Sequence, residues 1–213
     1  NLGTSSGAGM RSYGHYPTDA GMAQRGGSGK WKAPSLADGY GDYNDALPAA
    51  EYQAWQKAIL AECWRVLPNT GAIYYVHKPR IHGGVCQTPL DFNPGLIVRQ
   101  IVIWARAGGF NWNPTYYCPT HEWIVIFAKP GFRLRDRGAS VVGDVWTFPQ
   151  QPNTWHPAPF PLPLAERVLE TTRPTLVCDP FAGSGTTCKA AKKLGIDYLG
   201  CDRNAAYVER ALR

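Results

Sequence analysis

One short segment constrains the fold of this chain more than any other. Residues 179–187 read DPFAGSGTT and lie between an apolar run at Thr175–Cys178 and a helical pattern at Thr186–Leu194. Gly183 and Gly185 allow the backbone to turn tightly and to approach a ligand without a Cβ in the way. In open α/β sheets, ligands bind at the carboxyl ends of the strands. The segment therefore predicts a ligand-binding turn between a strand and a helix.

The spacing of this turn excludes two common nucleotide-binding loops. A dinucleotide fingerprint needs a third glycine, where this chain has Thr187-Cys188, and a P-loop needs a lysine directly after Gly185. Asp179 directly precedes the turn, which disfavours a phosphate and suits a cationic ligand such as the amino group or sulfonium of S-adenosylmethionine. Asp202 follows the next apolar run, where such folds carry a ribose acceptor. Capping of the following helix is the alternative for either acid alone.

Helical and strand patterns alternate along the chain. Apolar spacing predicts further helices at Pro48–Leu67 and Pro163–Glu170, and apolar runs predict strands at Ala72–Val76, Val98–Ala105, Trp123–Ala128, Thr175–Cys178 and Tyr198–Cys201. Such alternation predicts an α/β fold with a mainly parallel sheet. Residues 1–39 are rich in Gly and Ser, which predicts a flexible loop.

Several segments resemble motifs of the S-adenosylmethionine-dependent DNA methyltransferases that modify an exocyclic amino group. HPAPFP at 156–161, with LAER at 164–167, is similar to their motif X. DPFAGSGTT is similar to motif I, and YLGCD at 198–202 to motif II. The first half also resembles segments that follow the catalytic strand of the family, at residues 40–45, 51–52, 55, 65–67, 71, 77–80, 113–114 and 120–123. This order is that of the β class, whose motifs are circularly permuted.

The resemblance implies a class I methyltransferase fold, a Rossmann-like α/β sheet flanked by helices with strand order 3-2-1-4-5-7-6. It implies S-adenosylmethionine as the cofactor and DNA as the partner, with methyl transfer to adenine N6 or cytosine N4. The expected cofactor-binding residues are Asp179, Phe181, Ala182, Gly183, Ser184, Gly185, Thr186, Asp202, His156, Pro157 and Phe160. The candidates for contact with DNA phosphates are Lys78, Arg80, Arg133, Arg135 and Arg137. Solvated surface charge is the alternative for each of these five.

The catalytic tetrapeptide of the family, [DNS]PP[YFW], does not occur in this chain. Family members often continue it as PPYNLG, and the chain begins NLG, so we expect the tetrapeptide immediately before Asn1. The resemblance assigns Thr175–Cys178 and Tyr198–Cys201 as family strands 1 and 2, and Ala72–Val76, Val98–Ala105 and Trp123–Ala128 as family strands 5, 6 and 7. Family strands 3 and 4 would then also be missing, which would leave family strands 1 and 5 about 9–10 Å apart. The expected organisation is a flexible loop at 1–39 and a methyltransferase domain at 40–213, with a short target-recognition region at about 131–155.

Composition adds weaker constraints. The net charge of +6 is compatible with a polyanionic partner. Six cysteines without a CxxC pair favour reduced thiols in a cytosolic protein. The family resemblance implies the cytoplasm of a prokaryotic cell, or a phage-encoded protein. Zinc binding by His82, Cys86, Cys118 and His121 is an alternative, but the long gap between the two pairs is not diagnostic, and no metal is expected.

Other functions stay open at this point. One alternative is a methyltransferase that acts on RNA or on a protein amide, and another is a non-catalytic DNA-binding subunit of a methyltransferase complex. The short recognition region is compatible with a homodimer or a partner subunit. HPAPFP is closer to the motif X of cytosine-N4 enzymes than to the HPTQKP of many adenine enzymes, but it does not decide the target base.

Overall fold

A computed structural model describes residues 47–106, 113–151, 156 and 159–212. The expected loop at 1–39 and Pro157 lie outside these residues. Within the described ranges, no helix is long and apolar enough to cross a membrane.

The helices and strands alternate as the sequence predicts. In chain order they are α1 (Ala49–Val66), β1 (Ala72–His77), β2 (Arg80–His82), β3 (Val85–Gln87), a 3₁₀ helix (Pro89–Phe92), β4 (Val98–Ala105), β5 (His121–Ala128), α2 (Arg137–Ser140), β6 (Val145–Thr147), α3 (Leu162–Thr172), β7 (Leu176–Asp179), α4 (Thr186–Leu194), β8 (Asp197–Gly200) and α5 (Ala205–Ala211). β4 and α4 have the predicted bounds, and the other predicted elements differ by one or two residues at one or both ends.

Four strands form the central sheet, in the order β1-β5-β4-β6. β5 is antiparallel to β1 and β4, and β6 is parallel to β4. The prediction of a mainly parallel sheet is therefore wrong for the central sheet, because β5 lies between β1 and β4 and runs opposite to both. The strand order confirms the adjacency of family strands 5, 7 and 6. Apolar side chains of β5 alternate between two cores: Val125 and Phe127 pack with α1, and Ile124 and Ile126 pack with α3. The central sheet is therefore covered on both faces.

β7 and β8 form a separate parallel pair, with Asp179 opposite Gly200 at its carboxyl end. α4 connects the two strands and packs on α3 through Ala190 and Ala191. In the part of the chain that the structure describes, β1 and β7 belong to different sheets and do not pair. This agrees with the expectation that family strands 5 and 1 are not direct neighbours.

The structure adds three short strands that the sequence patterns did not predict. β2 and β3 form a hairpin around Gly83 and Gly84, which have φ values of 57° and 79°. β6 lies inside the expected target-recognition region and adds a parallel strand to the central sheet, with Trp146 opposite Trp104. Part of that region is therefore built into the core of the fold.

Candidate functional site

Side chains of α1 contact both the end of β1 and the turn after β7. The hydroxyl of Tyr52 lies 3.1 Å from Nε2 of His77, the last residue of β1. One turn further along α1, the ring of Trp55 lies 5.7 Å from the ring of Phe181, just after β7. The carboxyl ends of β1 and β7 therefore share one edge of the molecule, the carboxyl edge. Because β5 is antiparallel to β1, its end lies at the opposite edge, the amino edge.

The turn after β7, residues 180–185, is called the glycine turn and is held by hydrogen bonds to Asp179 and to the chain that follows β8. Oδ1 of Asp179 accepts a hydrogen bond from the Phe181 amide at 3.0 Å. The amide of Ala182 donates to the carbonyl of Cys201 at 2.8 Å. Gly185 starts α4 with φ 73°, a left-handed conformation that favours glycine. The sequence thus specifies a tight turn with backbone accessible to a ligand.

Asp202 clamps this turn to the loop that follows β8. Its Oδ2 accepts from the Gly183 amide at 2.8 Å, and its Oδ1 accepts from the Asn204 amide, also at 2.8 Å. The sequence predicted a ribose acceptor here, with capping of the following helix as the alternative, and it missed the contact with the turn. The N-cap of that helix, α5, is Asn204. A carboxylate has about four acceptor positions, so these two bonds leave capacity for ligand hydroxyls.

His156 packs against the other side of the turn. It is 7% exposed, and a Cβ at Gly183 would lie 2.6 Å from its Nε2. Its ring lies 4.9 Å from that of Tyr207 on α5. Burial lowers the pKa of His156, and Asp202 partly opposes this shift. A neutral imidazole therefore fills the space that a side chain at position 183 would need.

The structure brings most of the predicted cofactor-binding residues together. Ser184 and Thr186 face each other at the start of α4, with their hydroxyl oxygens 2.9 Å apart. Phe181 is 53% exposed. Phe160 packs against the central sheet, where its ring and that of Trp104 meet in an edge-to-face arrangement with centroids 6.2 Å apart. The residues that meet at the turn are Asp179, Phe181, Ala182, Gly183, Ser184, Gly185, Thr186, Asp202 and His156.

Lys78 and Arg80 lie at the carboxyl edge, directly after β1. Lys78 is exposed. Arg80 donates from Nε to Oε1 of Gln87 at 2.7 Å, and its guanidinium lies 5.1 Å from the centre of the Tyr52 ring. Both cations are therefore on the same side of the molecule as the glycine turn.

The other basic candidates lie elsewhere. Arg133 and Arg135 follow β5, and the amide of Arg135 donates to the carbonyl of Thr171 at the end of α3. They are therefore at the amino edge. Arg137 begins α2. The five candidates do not form one continuous surface.

A partly buried ion pair joins β4 and β5 at the carboxyl edge. Arg106 Nη1 lies 3.1 Å from Oε1 of Glu122. Burial raises the pKa of Glu122, and the positive charges of Arg106, Lys78 and His121 act in the opposite direction. Among the residues that the structure describes, no group of three or more His, Cys, Asp or Glu side chains could hold a metal ion.

Comparisons with a family model and with individual known proteins indicate the same family. A family model described as DNA methylase matches residues 16–213. The type II methyltransferase M.BglII of Bacillus subtilis is 30% identical over 209 residues, covering 79% of this chain and 58% of that protein. The type II methyltransferase M.ScaI of Streptomyces caespitosus is 36% identical over 213 residues, covering 80% of this chain and 69% of that protein.

A solved structure supports the same fold. TTHA0409 of Thermus thermophilus, determined in complex with S-adenosyl-L-methionine, has a TM-score of 0.59 and 26% identity, covering 76% of this chain and 75% of that chain. The chain therefore belongs to the DNA methylase family and has its Rossmann-like α/β fold. It spans 58% of the length of M.BglII.

Proposed function

We propose that this chain is a site-specific DNA methyltransferase that transfers a methyl group from S-adenosylmethionine to the exocyclic amino group of adenine or cytosine. The observation that carries the proposal is the glycine turn after β7, clamped by Asp202 and backed by His156. Membership of the DNA methylase family supports it. The similarity to type II methyltransferases supports a modification enzyme of the restriction–modification kind, working in the cytoplasm of a prokaryotic cell.

The chemistry of the turn fits the methyl donor. Asp179 and Asp202 hold two carboxylates beside a turn where Gly183 and Gly185 present only backbone. This arrangement disfavours a phosphate and suits a ligand with a cationic amino group and ribose hydroxyls. S-adenosylmethionine supplies an electrophilic methyl on a sulfonium, so transfer to an amine depends on positioning.

The target base must leave the DNA helix, because its amino group is not accessible to the donor inside the stack. We propose that Lys78 and Arg80 contact phosphates near the extruded base, since they lie on the same edge as the glycine turn. Arg133, Arg135 and Arg137 stay candidates for contacts further along the DNA. We also propose that residues 131–155 take part in target recognition and that the protein works as a homodimer or with a partner subunit.

The donor site can be tested by replacing Asp202. Asp202→Ala removes two hydrogen bonds to backbone amides and the proposed acceptor for the ribose. Because hydrogen bonds to charged groups contribute about 1.5–3 kcal/mol, we expect calorimetry to show about 10- to 100-fold weaker binding of S-adenosylmethionine. Unchanged affinity would reject this site.

Asp136→Ala is the matched control. Asp136 caps α2, with Oδ1 accepting from the Ala139 amide at 2.8 Å, and lies near the amino edge. The same substitution there should cost about 1 kcal/mol of stability and leave donor affinity unchanged. Methylation-sensitive sequencing of host DNA, with and without the intact gene, then tests the reaction and identifies the base. Absence of any gene-dependent methylated site in DNA would contradict the proposed activity.

A further inference from the structure

Phe181 has a firmly held backbone but a partly open side chain. Its amide donates to Oδ1 of Asp179 at 3.0 Å, which fixes the backbone of the turn. The ring is nevertheless 53% exposed. One contact restrains it from the side of α1: the ring of Trp55 lies 5.7 Å away, at an interplanar angle of 74°. Edge-to-face geometry of this kind is favourable for aromatic pairs.

Trp55 is itself supported by Tyr52, one turn earlier on α1. The two rings lie 5.9 Å apart. Tyr52 is fixed by its hydroxyl, which lies 3.1 Å from Nε2 of His77 and accepts from Nε2 of Gln56 at 3.0 Å. The rings of Tyr52 and Phe92 also meet in an edge-to-face arrangement, with centroids 5.5 Å apart. A side chain anchored to the central sheet therefore supports the ring that contacts the glycine turn.

We propose that Trp55 is a positioning residue for the methyl donor, holding the ring of Phe181 in the orientation that forms a wall of the donor site. This inference rests on the proposed function. An exposed aromatic ring loses rotamer freedom when a ligand orders it, and this cost reduces affinity. Trp55 limits the rotamer freedom of the Phe181 ring before the donor binds, so this wall of the donor site is preorganised. The support comes from α1, which carries none of the residues predicted to bind the donor.

The test compares donor affinity by calorimetry in wild type, Trp55→Ala, Trp55→Phe, Phe181→Ala and the double variant Trp55→Ala/Phe181→Ala. An aromatic pair of this kind corresponds to about two- to tenfold in affinity, which is the loss expected for Trp55→Ala. Trp55→Phe keeps an aromatic edge and should restore most of the affinity. Because Trp55 acts through Phe181, the double variant should bind the donor no more weakly than Phe181→Ala alone.

Trp64→Ala is the control for damage to α1. Trp64 lies further along the same helix, where the Lys129 ammonium group sits 4.2 Å from its ring centre, near the amino edge. Trp64→Ala should lower the free energy of unfolding without changing donor affinity. Trp55→Ala should lower donor affinity but leave affinity for DNA unchanged. Equal donor affinities in wild type and Trp55→Ala, or fully additive losses in the double variant, would overturn the proposed role of Trp55. Neither result would contradict the proposed function. A wild-type chain that binds no donor would overturn the proposed function and this role with it.

Discussion

The central sheet and the β7–β8 pair differ in how much of their apolar surface is buried. In the central sheet, Ile124, Val125 and Phe127 of β5 are 0% exposed, because α1 covers one face and α3 the other. In the β7–β8 pair, Leu176 is 58% exposed and Leu199 55% exposed in the part of the chain that the structure describes. The predicted donor site nevertheless lies on the pair and not on the central sheet.

The two regions are held by different kinds of contact. Burial of apolar area in the central sheet stabilises the fold without directional preference. The glycine turn is instead shaped by short, directional contacts, such as the hydrogen bond from Gly183 to Asp202 and the packing of His156 on the same glycine. Substitutions in β5 should therefore change stability, and substitutions in the turn should change donor affinity.

The largest effect is expected from Phe127→Ala in the central sheet. Removing a ring that is 0% exposed leaves a cavity, so the free energy of unfolding should fall by about 3–5 kcal/mol. Leu199→Ala on the β7–β8 pair should lower it by less than about 1 kcal/mol, because that side chain is 55% exposed. Urea unfolding followed by circular dichroism measures both. Losses of similar size would show that the pair is as important to stability as the central sheet.

The second-largest effect is expected on donor affinity, from alanine substitution at a glycine of the turn. Gly183 and Gly195 both have a left-handed backbone, with φ 49° and φ 67°. A Cβ at Gly183 would lie 2.6 Å from Nε2 of His156, whereas a Cβ at Gly195 meets nothing within 4 Å. Gly183→Ala should therefore displace either His156 or the turn and weaken donor binding by at least about tenfold. Calorimetric titration with S-adenosylmethionine measures this change.

Gly195→Ala is the matched control, because it introduces backbone strain without a steric clash. It should lower stability by about 1–2 kcal/mol and leave donor affinity unchanged. If both variants lose donor affinity equally, then strain anywhere near α4 disturbs the site, and the specific contact between His156 and Gly183 has no separate importance.

Local patterns were sufficient for most of the fold. Val98–Ala105 is an apolar segment interrupted only by Arg99 and Gln100. Thr186–Leu194 is a helix that ends where Gly195 adopts a left-handed conformation, so nearby residues indicate both elements. β6 could not be predicted in this way, because Val145–Thr147 is a strand only through its pairing with β4. The hairpin of β2 and β3 did carry a signal, since a Gly-Gly dipeptide favours a two-residue turn.

In the candidate site, the positions of the two acidic residues could be predicted from the sequence, but the contacts between distant residues could not. Asp179 and Asp202 each follow an apolar run, and their position at the carboxyl ends of neighbouring strands follows from the α/β pattern. The contact between Trp55 and Phe181 joins residues far apart in the chain, and no local pattern indicates it. The same holds for the packing of His156 on Gly183, which depends on how three loops meet.

The smallest expected effect tests whether the central sheet contributes to function only at its carboxyl edge. Lys78 and Arg80 follow β1 at the carboxyl edge, whereas Arg133 and Arg135 follow β5 at the amino edge. Each lost phosphate contact lowers the slope of log affinity against log salt by about one. Lys78→Gln and Arg80→Gln should each show this loss, measured by fluorescence anisotropy with a labelled duplex at several salt concentrations. Arg133→Gln and Arg135→Gln should leave the slope unchanged, and equal losses at both edges would show that DNA contacts the amino edge as well.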